Sequence, residues 1–238
     1  MIGGNTMDNS HLLTLKNLTV WYTKNKPVLK ELSMKLGTNE IVGLIGLNGA
    51  GKTTLIKTLS GLLDSFRVED TLWQEKPFMF RDRDFKKNRY VVFAEEHSFS
   101  FFTFREYASY VAASYGKELS DVDELVQGFQ FEEYTDVLLK ELSTGNQKKA
   151  YLITAFALKP QLLVLDEPVN GLDFQSTEYL YSRINGYRQY GTVLFSSHIL
   201  ESICLTSDRV LVLEEGRIRK RFTGQEIETD KIREVLKE

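Results

Sequence analysis

Hydrophobic and polar residues alternate in two segments near the start of the chain, the first over residues 11–22. Alternation places every second side chain on the same face of an extended strand. The residues expected to share a face are Leu18, Val20 and Tyr22 in the first segment and Leu32, Met34 and Leu36 in the second. Polar residues 23–27 separate the segments and favour a turn, so the pattern predicts two antiparallel strands.

Short apolar runs and helical periodicity alternate through the rest of the chain. The runs that favour buried strands lie at residues 40–45, 90–93, 161–165, 192–196 and 209–213. Between them, apolar residues recur every three or four positions, most regularly at Phe104, Tyr107, Ala108 and Val111. Residues 104–140 are expected to be mostly helical, with breaks at Gly116 and Gly128. Strands that alternate with helices predict an α/β fold with a mostly parallel sheet covered on both faces.

The composition is that of an ordinary globular protein. The chain has 238 residues, of which 42% are hydrophobic and 26% charged, which suits one large domain or two closely packed lobes. A formal net charge of −3 gives no reason to expect nucleic acid as a partner. The single cysteine, Cys204, excludes an intramolecular disulfide and is expected to pack in a helix. Basic clusters at residues 86–87, 148–149 and 217–221 are each expected to lie on a solvated face.

No segment has the pattern of a membrane span or a signal peptide. Residues 1–10 are polar and contain glycine, and no uninterrupted apolar run is long enough to cross a bilayer. We therefore expect a soluble protein in a reducing compartment, and any role at a membrane is expected to depend on a partner.

A glycine-rich turn follows the apolar run at residues 40–45. Residues 46–53 match the P-loop pattern GxxxxGK[ST] and stand between a predicted strand and a predicted helix. Glycines let successive backbone N–H groups point at phosphate oxygens, and the helix N-terminus adds partial positive charge. We expect Lys52 to reach the β- and γ-phosphates, Thr53 to bind Mg²⁺ and Thr54 to contact the α-phosphate. The other expected phosphate-binding positions are Gly46, Asn48, Gly49, Ala50 and Gly51. A glycine turn that binds nothing is the alternative.

Two carboxylates end the predicted strand at residues 161–165. Asp166 stands where it can hold a magnesium shell, and Glu167 lies one position further, where an attacking water would sit. Two acids are useful because a carboxylate beside a cation is a poor base, whereas its neighbour stays free to polarise water. The pair predicts hydrolysis of a nucleoside triphosphate; a strand that ends in a surface acid pair is the alternative.

A third motif distinguishes between the classes of P-loop protein. Residues 142–147, Leu-Ser-Thr-Gly-Asn-Gln, precede a helix and resemble the LSGGQ signature of ABC ATPases, at the interval before Asp166 that is expected from that family. Residues 170–173, Asn-Gly-Leu-Asp, resemble its D-loop, and His198 resembles its switch histidine. Tyr22 stands where the family places an aromatic ring against adenine. These motifs occur in the family's order over roughly residues 12–222, so the chain is identified as a member of the ABC ATPases.

The resemblance implies an architecture. It consists of a P-loop NTPase core with a mostly parallel sheet, an N-terminal antiparallel β-subdomain and a helical subdomain that carries the signature. We expect the nucleotide-binding domain to cover residues 11–225, with the helical subdomain inserted at about residues 96–159. A C-terminal helix is expected over residues 226–238.

The resemblance also implies a mechanism. Two copies would face head to tail around ATP and Mg²⁺, so that Ser143 and the Gly145 N–H of one bind the γ-phosphate held by the other. Asp173 is the expected D-loop residue, and the expected catalytic residues are Lys52, Glu167 and His198. The partners implied are an integral membrane permease and a second copy of the chain or a paralogous ATPase, with no nucleic acid. The implied location is the cytoplasmic face of the cell membrane, in the compact form typical of bacterial exporter subunits.

The chain departs from the family pattern at two places. Where related proteins carry the Q-loop glutamine, this chain has Glu95 and Glu96. A carboxylate at this position can hold a magnesium-bound water by its charge, or it can repel the γ-phosphate. Glu95 therefore belongs to the expected metal site only in the first case. Asn146 replaces the final glutamine of the signature and keeps an amide, and we expect this variant to be tolerated.

Two questions stay open at the level of sequence. The aromatic residues at 98–104 suit either a docking groove for the permease or the small core of the helical subdomain. A regulatory module that binds ATP without useful hydrolysis is an alternative to the transporter motor. An ATPase acting on DNA or ribosomes is another, but the chain has one cassette and no room for a long coiled coil between Glu96 and Leu142.

Overall fold

A computed structural model describes residues 11–95 and 98–237 of the chain. Residues 1–10 and Glu96, the second candidate for the Q-loop position, lie outside the described residues. Within them the strands are β1 (His11–Thr23), β2 (Lys26–Gly37), β3 (Ile41–Ile45), β4 (Phe66–Arg67), β5 (Asp70–Trp73), β6 (Lys76–Pro77), β7 (Arg89–Val92), β8 (Leu162–Leu165), β9 (Thr192–Ser196), β10 (Arg209–Glu214) and β11 (Arg217–Thr223). The α-helices are α1 (Lys52–Leu59), α2 (Arg83–Asn88), α3 (Phe104–Tyr115), α4 (Val122–Gly128), α5 (Thr144–Leu158), α6 (Phe174–Gly186), α7 (Leu200–Thr206) and α8 (Thr229–Lys237).

The two alternating segments form an antiparallel pair, as predicted. β1 and β2 pair along their length, with Leu18 opposite Leu32, and β4 and β5 extend the sheet from the other edge of β1. The alternating leucines, valine and methionine of both strands are buried against the P-loop helix α1 and the adjoining sheet. Tyr22 does not share the buried face of Leu18 and Val20 as expected, since its side chain is 57% exposed. The pairing register of β1 with β2 shifts near the end of β1, which turns Tyr22 away from that face.

A second sheet has the order β11-β10-β3-β9-β8-β7, and all its pairs are parallel except β10 with β11. Its three central strands are buried throughout, because helices α5, α6 and α7 pack on one face and helix α1 with the antiparallel sheet packs on the other. The α/β class and the mostly parallel sheet are therefore confirmed. Edge strand β11 was not predicted, since its alternation is built from charged residues and only Phe222 is buried.

The segment between β7 and β8 is helical. Residues Phe104, Tyr107, Ala108 and Val111 form the buried face of α3, as their spacing predicts. Gly116 ends α3 in the left-handed conformation (φ 63°), and Gly128 is the last residue of α4. Helix α5 begins at Thr144, inside the motif at residues 142–147 that was expected to precede a helix, because Ser143 caps it. None of the helices in the described ranges combines the length and apolarity that a bilayer span requires.

The expectation for the basic pair at residues 148–149 was wrong. Both side chains are 5% exposed, whereas residues 86–87 and 217–221 lie at or near the surface as expected. Lys148 Nζ donates to the carbonyl oxygens of Phe93 and Ala94 at 2.5 and 2.7 Å. Lys149 Nζ pairs with Asp173 Oδ2 at 2.7 Å. Burial is possible because both ammonium groups find acceptors on neighbouring elements, which short-range sequence patterns do not report.

Asp173 joins the helical subdomain to the ATPase core. It caps α6 by accepting a hydrogen bond from the Ser176 N–H at 2.8 Å, and it receives Lys149 from α5. The pKa of the Asp173 carboxyl lies well below its usual range, first because the Lys149 ammonium donates to it and then because the Ser176 N–H does. Helix α6 itself was not predicted, since its buried face consists of only three residues.

We expect Asp173→Asn to lower the free energy of unfolding by about 1–2 kcal/mol between pH 5 and 8, a modest value because the side chain is 51% exposed. A carboxylate with a lowered folded-state pKa stabilises the fold above its unfolded value, and this contribution is lost as the pH falls towards the folded value. The difference in the free energy of unfolding between variant and wild type should therefore become smaller below about pH 4. This pH is close to the pKa of an aspartate in an unfolded chain. Chemical denaturation at a series of pH values measures it.

Asp230→Asn is the matched control, because Asp230 is 89% exposed and its ion pair with Arg233 lies on one helix. This control should shift the free energy of unfolding by less than about 0.5 kcal/mol. The loss of unfolding free energy in Asp173→Asn could instead stay constant down to about pH 3. That result would contradict the assignment of the stabilisation to the ionised carboxylate of Asp173.

Candidate functional site

Three neighbouring strands end at one edge of the parallel sheet. The P-loop follows β3, the acid pair follows β8 and His198 follows β9, and β9 lies between the other two. In open α/β sheets, ligands bind at the carboxyl ends of the strands. The topology thus gathers residues that are far apart in sequence into one candidate site.

The side chain of Lys52 bonds back to the first residue of the P-loop, Gly46. Its ammonium donates to the carbonyl oxygen of Gly46 at 2.7 Å, and the side chain is buried. Gly51, at φ 110°, precedes α1 in a conformation that favours glycine, while Asn48 and Gly49 are exposed. A lysine and a helix N-terminus therefore face the same loop, which is an arrangement that binds phosphate.

Asp166 is held between two hydroxyl groups. Thr53 Oγ1 donates to one carboxylate oxygen at 2.9 Å, and Ser196 Oγ donates to the other at 2.7 Å, while Asp166 itself is fully buried. Ser196 was not identified from the sequence. Its signal was a polar residue at the end of an apolar strand, which became significant only when β9 was seen beside β8. The cluster provides one carboxylate and one hydroxyl from the first turn of α1 for a hard cation.

Glu167 lies between a lysine and a histidine. Its Oε2 is 2.8 Å from His198 Nδ1 and accepts the His198 backbone N–H at 3.2 Å, and its Oε1 is 3.7 Å from Lys52 Nζ. The Glu167 backbone has φ 46°, a value uncommon outside glycine, and its N–H donates to Ser196 Oγ at 2.9 Å. The turn after β8 thus aims this carboxylate at the P-loop instead of into solvent, and its side chain is 12% exposed.

Glu95 faces the side of the site that carries the candidate metal ligands. A cavity of about 620 Å³ is lined by Glu95 together with Thr53, Asp166 and Lys57. A second cavity, of about 430 Å³, is lined by Gly46, Asn48, Glu167, Asn170, His198 and Leu236. Two openings thus flank the P-loop, one beside Asp166 and the other beside Glu167.

The signature residues lie apart from the P-loop. Ser143 caps α5 by accepting the Asn146 N–H at 3.2 Å, and its side chain points into an exposed region. Gly145 packs against the D-loop so closely that a Cβ there would overlap the Gly171 carbonyl oxygen. Neither Ser143 nor Gly145, the signature residues expected at a γ-phosphate, is among the described residues that line the two P-loop cavities.

Tyr22 stands beside the start of the P-loop helix. Its hydroxyl is 3.4 Å from Thr54 Oγ1, and its ring is 57% exposed at the end of β1. An exposed ring beside Thr54, the residue expected to contact the α-phosphate, has room to stack on a base. The sequence expectation for this residue is thus compatible with its position.

The aromatic segment at residues 98–104 divides between the two roles considered for it. Phe99 and Phe102 pack against the core of the helical subdomain and against each other, with ring centres 5.4 Å apart. Phe101 is 74% exposed, with the Lys140 ammonium 4.3 Å from its ring centre. The segment is therefore partly core and partly surface.

Comparison with known proteins agrees with the geometry. Residues 29–170 match the family described as ABC transporter. The putative ABC transporter ATP-binding protein AlbC of Bacillus subtilis (strain 168) is 35% identical over 232 residues, which cover 94% of this chain and 97% of that protein. The ABC-type transporter ATP-binding protein EcsA of the same organism is 34% identical over 91% of this chain and 89% of that protein.

A solved structure agrees as well. The structure titled "Structure of ATP binding subunit of ABC transporter" superposes with a TM-score of 0.80 at 27% sequence identity, over 89% of this chain and 90% of that one. The chain therefore belongs to the ABC transporter family, as an ATP-binding and ATP-hydrolysing subunit of the kind that works with a membrane permease.

Proposed function

We propose that this chain hydrolyses Mg-ATP at the interface of a head-to-tail dimer and thereby drives a separate membrane permease. The observation that carries the proposal is the position of Glu167, whose carboxylate lies within reach of both Lys52 and His198 beside the P-loop. The dimer, the metal and the individual residue roles are the parts that go beyond family membership.

The residues around Asp166 fit Mg²⁺. This ion binds through one or two carboxylates together with water and substrate phosphates, and it seldom requires a full set of protein ligands. Thr53 and Asp166 provide one hydroxyl and one carboxylate at 2.9 Å from each other. No group of three or more histidine, cysteine or acidic side chains able to hold a metal occurs in the described ranges. A site that leaves most ligands to water and nucleotide is what Mg-ATP requires. When bound, the ion neutralises charge on the transferred phosphoryl group.

Glu167 is the candidate general base. Its oxygens are held by His198 and faced by Lys52, so the carboxylate is oriented before a substrate arrives. Phosphate oxygens would take the Lys52 ammonium away from the Gly46 carbonyl, and Glu167 would then accept a proton from the attacking water. His198 would keep the carboxylate in place and contact the γ-phosphate from the adjacent strand.

The separation of Ser143 and Gly145 from the P-loop supports a second chain. Ser143 is exposed at the N-terminus of α5, a helix of 15 residues whose first turn favours an anion. Because the same chain's P-loop is elsewhere, these groups are available to a γ-phosphate held by another copy. Loss of the γ-phosphate would remove this bridge and let the two chains separate.

The proposed location is the cytoplasmic face of the cell membrane, where the chain would be held by its permease. Family membership supports a membrane partner, and the chain itself has no helix in its described ranges suited to span the bilayer. The exporter type expected from the sequence stays a prediction.

The first experiment is light scattering with size exclusion on Glu167→Gln, without nucleotide and with Mg-ATP. The amide keeps the shape of the side chain but is not a base, so turnover should fall by about 10²–10⁴-fold while ATP binding is retained. Trapped ATP should convert a monomer to a dimer. Adding Ser143→Ala to this variant should prevent the conversion, because it removes a hydroxyl from the proposed bridge.

Glu178→Gln is a matched control on the exposed side of α6 and should retain wild-type turnover. Wild-type turnover in Glu167→Gln would contradict its role as base. A monomer that binds ATP and does not dimerise would contradict the proposed sandwich for this chain alone and would favour a paralogous partner.

We also expect Glu95→Gln to need more Mg²⁺ for half-maximal turnover, by about three- to tenfold, because a charged acceptor holds a metal-bound water more strongly than an amide does. A magnesium titration of ATPase activity measures this shift. Glu118→Gln, an exposed change at a position that does not line the cavity containing Glu95, is the control. If the magnesium titration curves of Glu95→Gln and wild type superimpose, Glu95 does not hold the metal-bound water.

A further inference from the structure

The hydroxyl group at the end of strand β9 is shared by both members of the acid pair. Ser196 is the last residue of this strand, and its side chain is fully buried. Its Oγ donates to Asp166 Oδ1 at 2.7 Å and accepts the backbone N–H of Glu167 at 2.9 Å. One side chain thus contacts the carboxylate of the candidate metal site and the peptide of the candidate base.

Ser196 lies behind the site and not on its surface. It is not among the described residues that line the two cavities beside the P-loop. Asp166 lines the cavity of about 620 Å³, and Glu167 lines the cavity of about 430 Å³. Any effect of Ser196 on hydrolysis is therefore expected to pass through these two neighbours.

On the Asp166 side, the hydroxyl restricts the rotation of a carboxylate. Thr53 Oγ1 donates to Oδ2 of Asp166 at 2.9 Å, and Ser196 holds the other oxygen, Oδ1. A carboxylate that is held at both oxygens cannot rotate without losing a hydrogen bond. Because Asp166 is fully buried, a donor removed from it is not replaced by bulk water. Groups that orient a metal-binding side chain in this way affect metal affinity or activity.

On the Glu167 side, the same hydroxyl holds an unfavourable peptide conformation. Glu167 has φ 46°, and such a backbone persists only where surrounding contacts impose it. Ser196 accepts the N–H of this residue, while His198 Nδ1 lies 2.8 Å from the carboxylate at the far end of the side chain. Ser196 and His198 are two positions apart, so the end of β9 fixes Glu167 at its backbone and at its carboxylate together.

We propose that Ser196 is a positioning residue that holds the metal-site carboxylate and the general base in one arrangement. Its hydroxyl hydrogen orients Asp166, and its oxygen keeps the Glu167 peptide in the conformation that aims the side chain at the P-loop. This inference rests on the proposed function, because it takes Glu167 as the base and Asp166 as part of the magnesium site. It adds a residue that joins the two parts of the site through a single oxygen atom.

A buried hydroxyl on a strand does not by itself imply a part in the reaction. Thr192, at the other end of β9, is also fully buried, and its Oγ1 donates to the Gly37 carbonyl oxygen at 2.7 Å. Both hydroxyls belong to the same strand and make strong hydrogen bonds, but only that of Ser196 contacts the acid pair. Thr192 is therefore the matched control for the structural cost of losing a buried hydroxyl.

Steady-state ATP hydrolysis by Ser196→Ala is the first test. At saturating Mg-ATP, kcat should fall by about 10–100-fold, because a group that supports a metal ligand is removed. KM for ATP should change by less than about threefold, since the P-loop contacts are retained. Ser196→Thr should restore kcat to within about threefold of wild type, because it keeps the hydroxyl and a β-branched residue suits a strand. Thr192→Val should retain wild-type kcat.

Ser196→Cys carries the same test if Ser196→Ala does not fold. The thiol is close in size to the hydroxyl but is only a weak donor and acceptor. Its kcat should therefore fall in the same direction, and thermal unfolding reports whether the variant is folded. Wild-type kcat in a folded Ser196→Cys would overturn the inference.

Metal affinity is measured separately from turnover. On the Glu167→Gln background with ATP bound, Mn²⁺ is titrated and the free ion is followed by its electron paramagnetic resonance signal; Mn²⁺ takes the same oxygen ligands as Mg²⁺. Adding Ser196→Ala should weaken Mn²⁺ binding by about tenfold, and adding Thr192→Val should leave it unchanged. Equal Mn²⁺ affinity in these two double variants would overturn the assignment of Ser196 to the metal site.

A double-mutant cycle tests the action on Glu167. At saturating Mg²⁺, Ser196→Ala should slow the wild-type chain by about 10–100-fold and the Glu167→Gln chain by less than about threefold, because no base is left to position. Single-turnover hydrolysis measures the slow variants. An equal loss on both backgrounds would show that Ser196 does not act through Glu167 and would overturn the inference.

Two results separate the failure of this inference from the failure of the proposed function. Wild-type kcat and metal affinity in Ser196→Ala, with Glu167→Gln still slowed, would overturn the inference and leave the proposed function standing. Wild-type turnover in Glu167→Gln would contradict the proposed function itself and would remove the basis of the inference with it.

Discussion

The parallel pairing of three buried strands is the constraint on which the site depends. β9 lies between β3 and β8 and pairs with both in parallel, so Ile41 and Leu163 flank Val193 in one register. Because the strands are parallel, their carboxyl ends meet, and the residues that follow them are brought within hydrogen-bonding distance. A shift of one residue in β9 would turn Ser196 away from Asp166 and break the hydroxyl bridge that fixes that carboxylate.

The charged groups of the site are satisfied by one another in the chain alone. Lys52 is hydrogen-bonded to the P-loop carbonyl of Gly46, and Glu167 is held by His198. Gly46, Glu167 and His198 line the cavity beside the P-loop, where a phosphate or a water would compete for these contacts. The left-handed backbone of Glu167 shows that the turn is held against its own preference by surrounding contacts. The site is thus oriented before substrate binds.

Buried lysines link the signature helix to the rest of the molecule. Lys148 reaches the chain segment just before Glu95, and Lys149 reaches the D-loop aspartate that begins α6. Both ammonium groups are held between elements of different subdomains, so displacement of α5 would cost their hydrogen bonds unless the partners moved too. The signature helix, the segment before the Q-loop position and the D-loop are therefore linked by these hydrogen bonds.

The sequence by itself determined the fold class, the P-loop, the acid pair and the order of motifs, because these depend on periodicity and on residues adjacent in the chain. The buried face of α3 and the antiparallel β1–β2 pair followed from the same local signals. Only the tertiary structure decided the burial of Lys148 and Lys149 and the part played by Ser196. Each of these depends on a partner that is distant in sequence. Local patterns do not encode which distant groups will surround a side chain, and that surrounding decides whether a charge is solvated or paired.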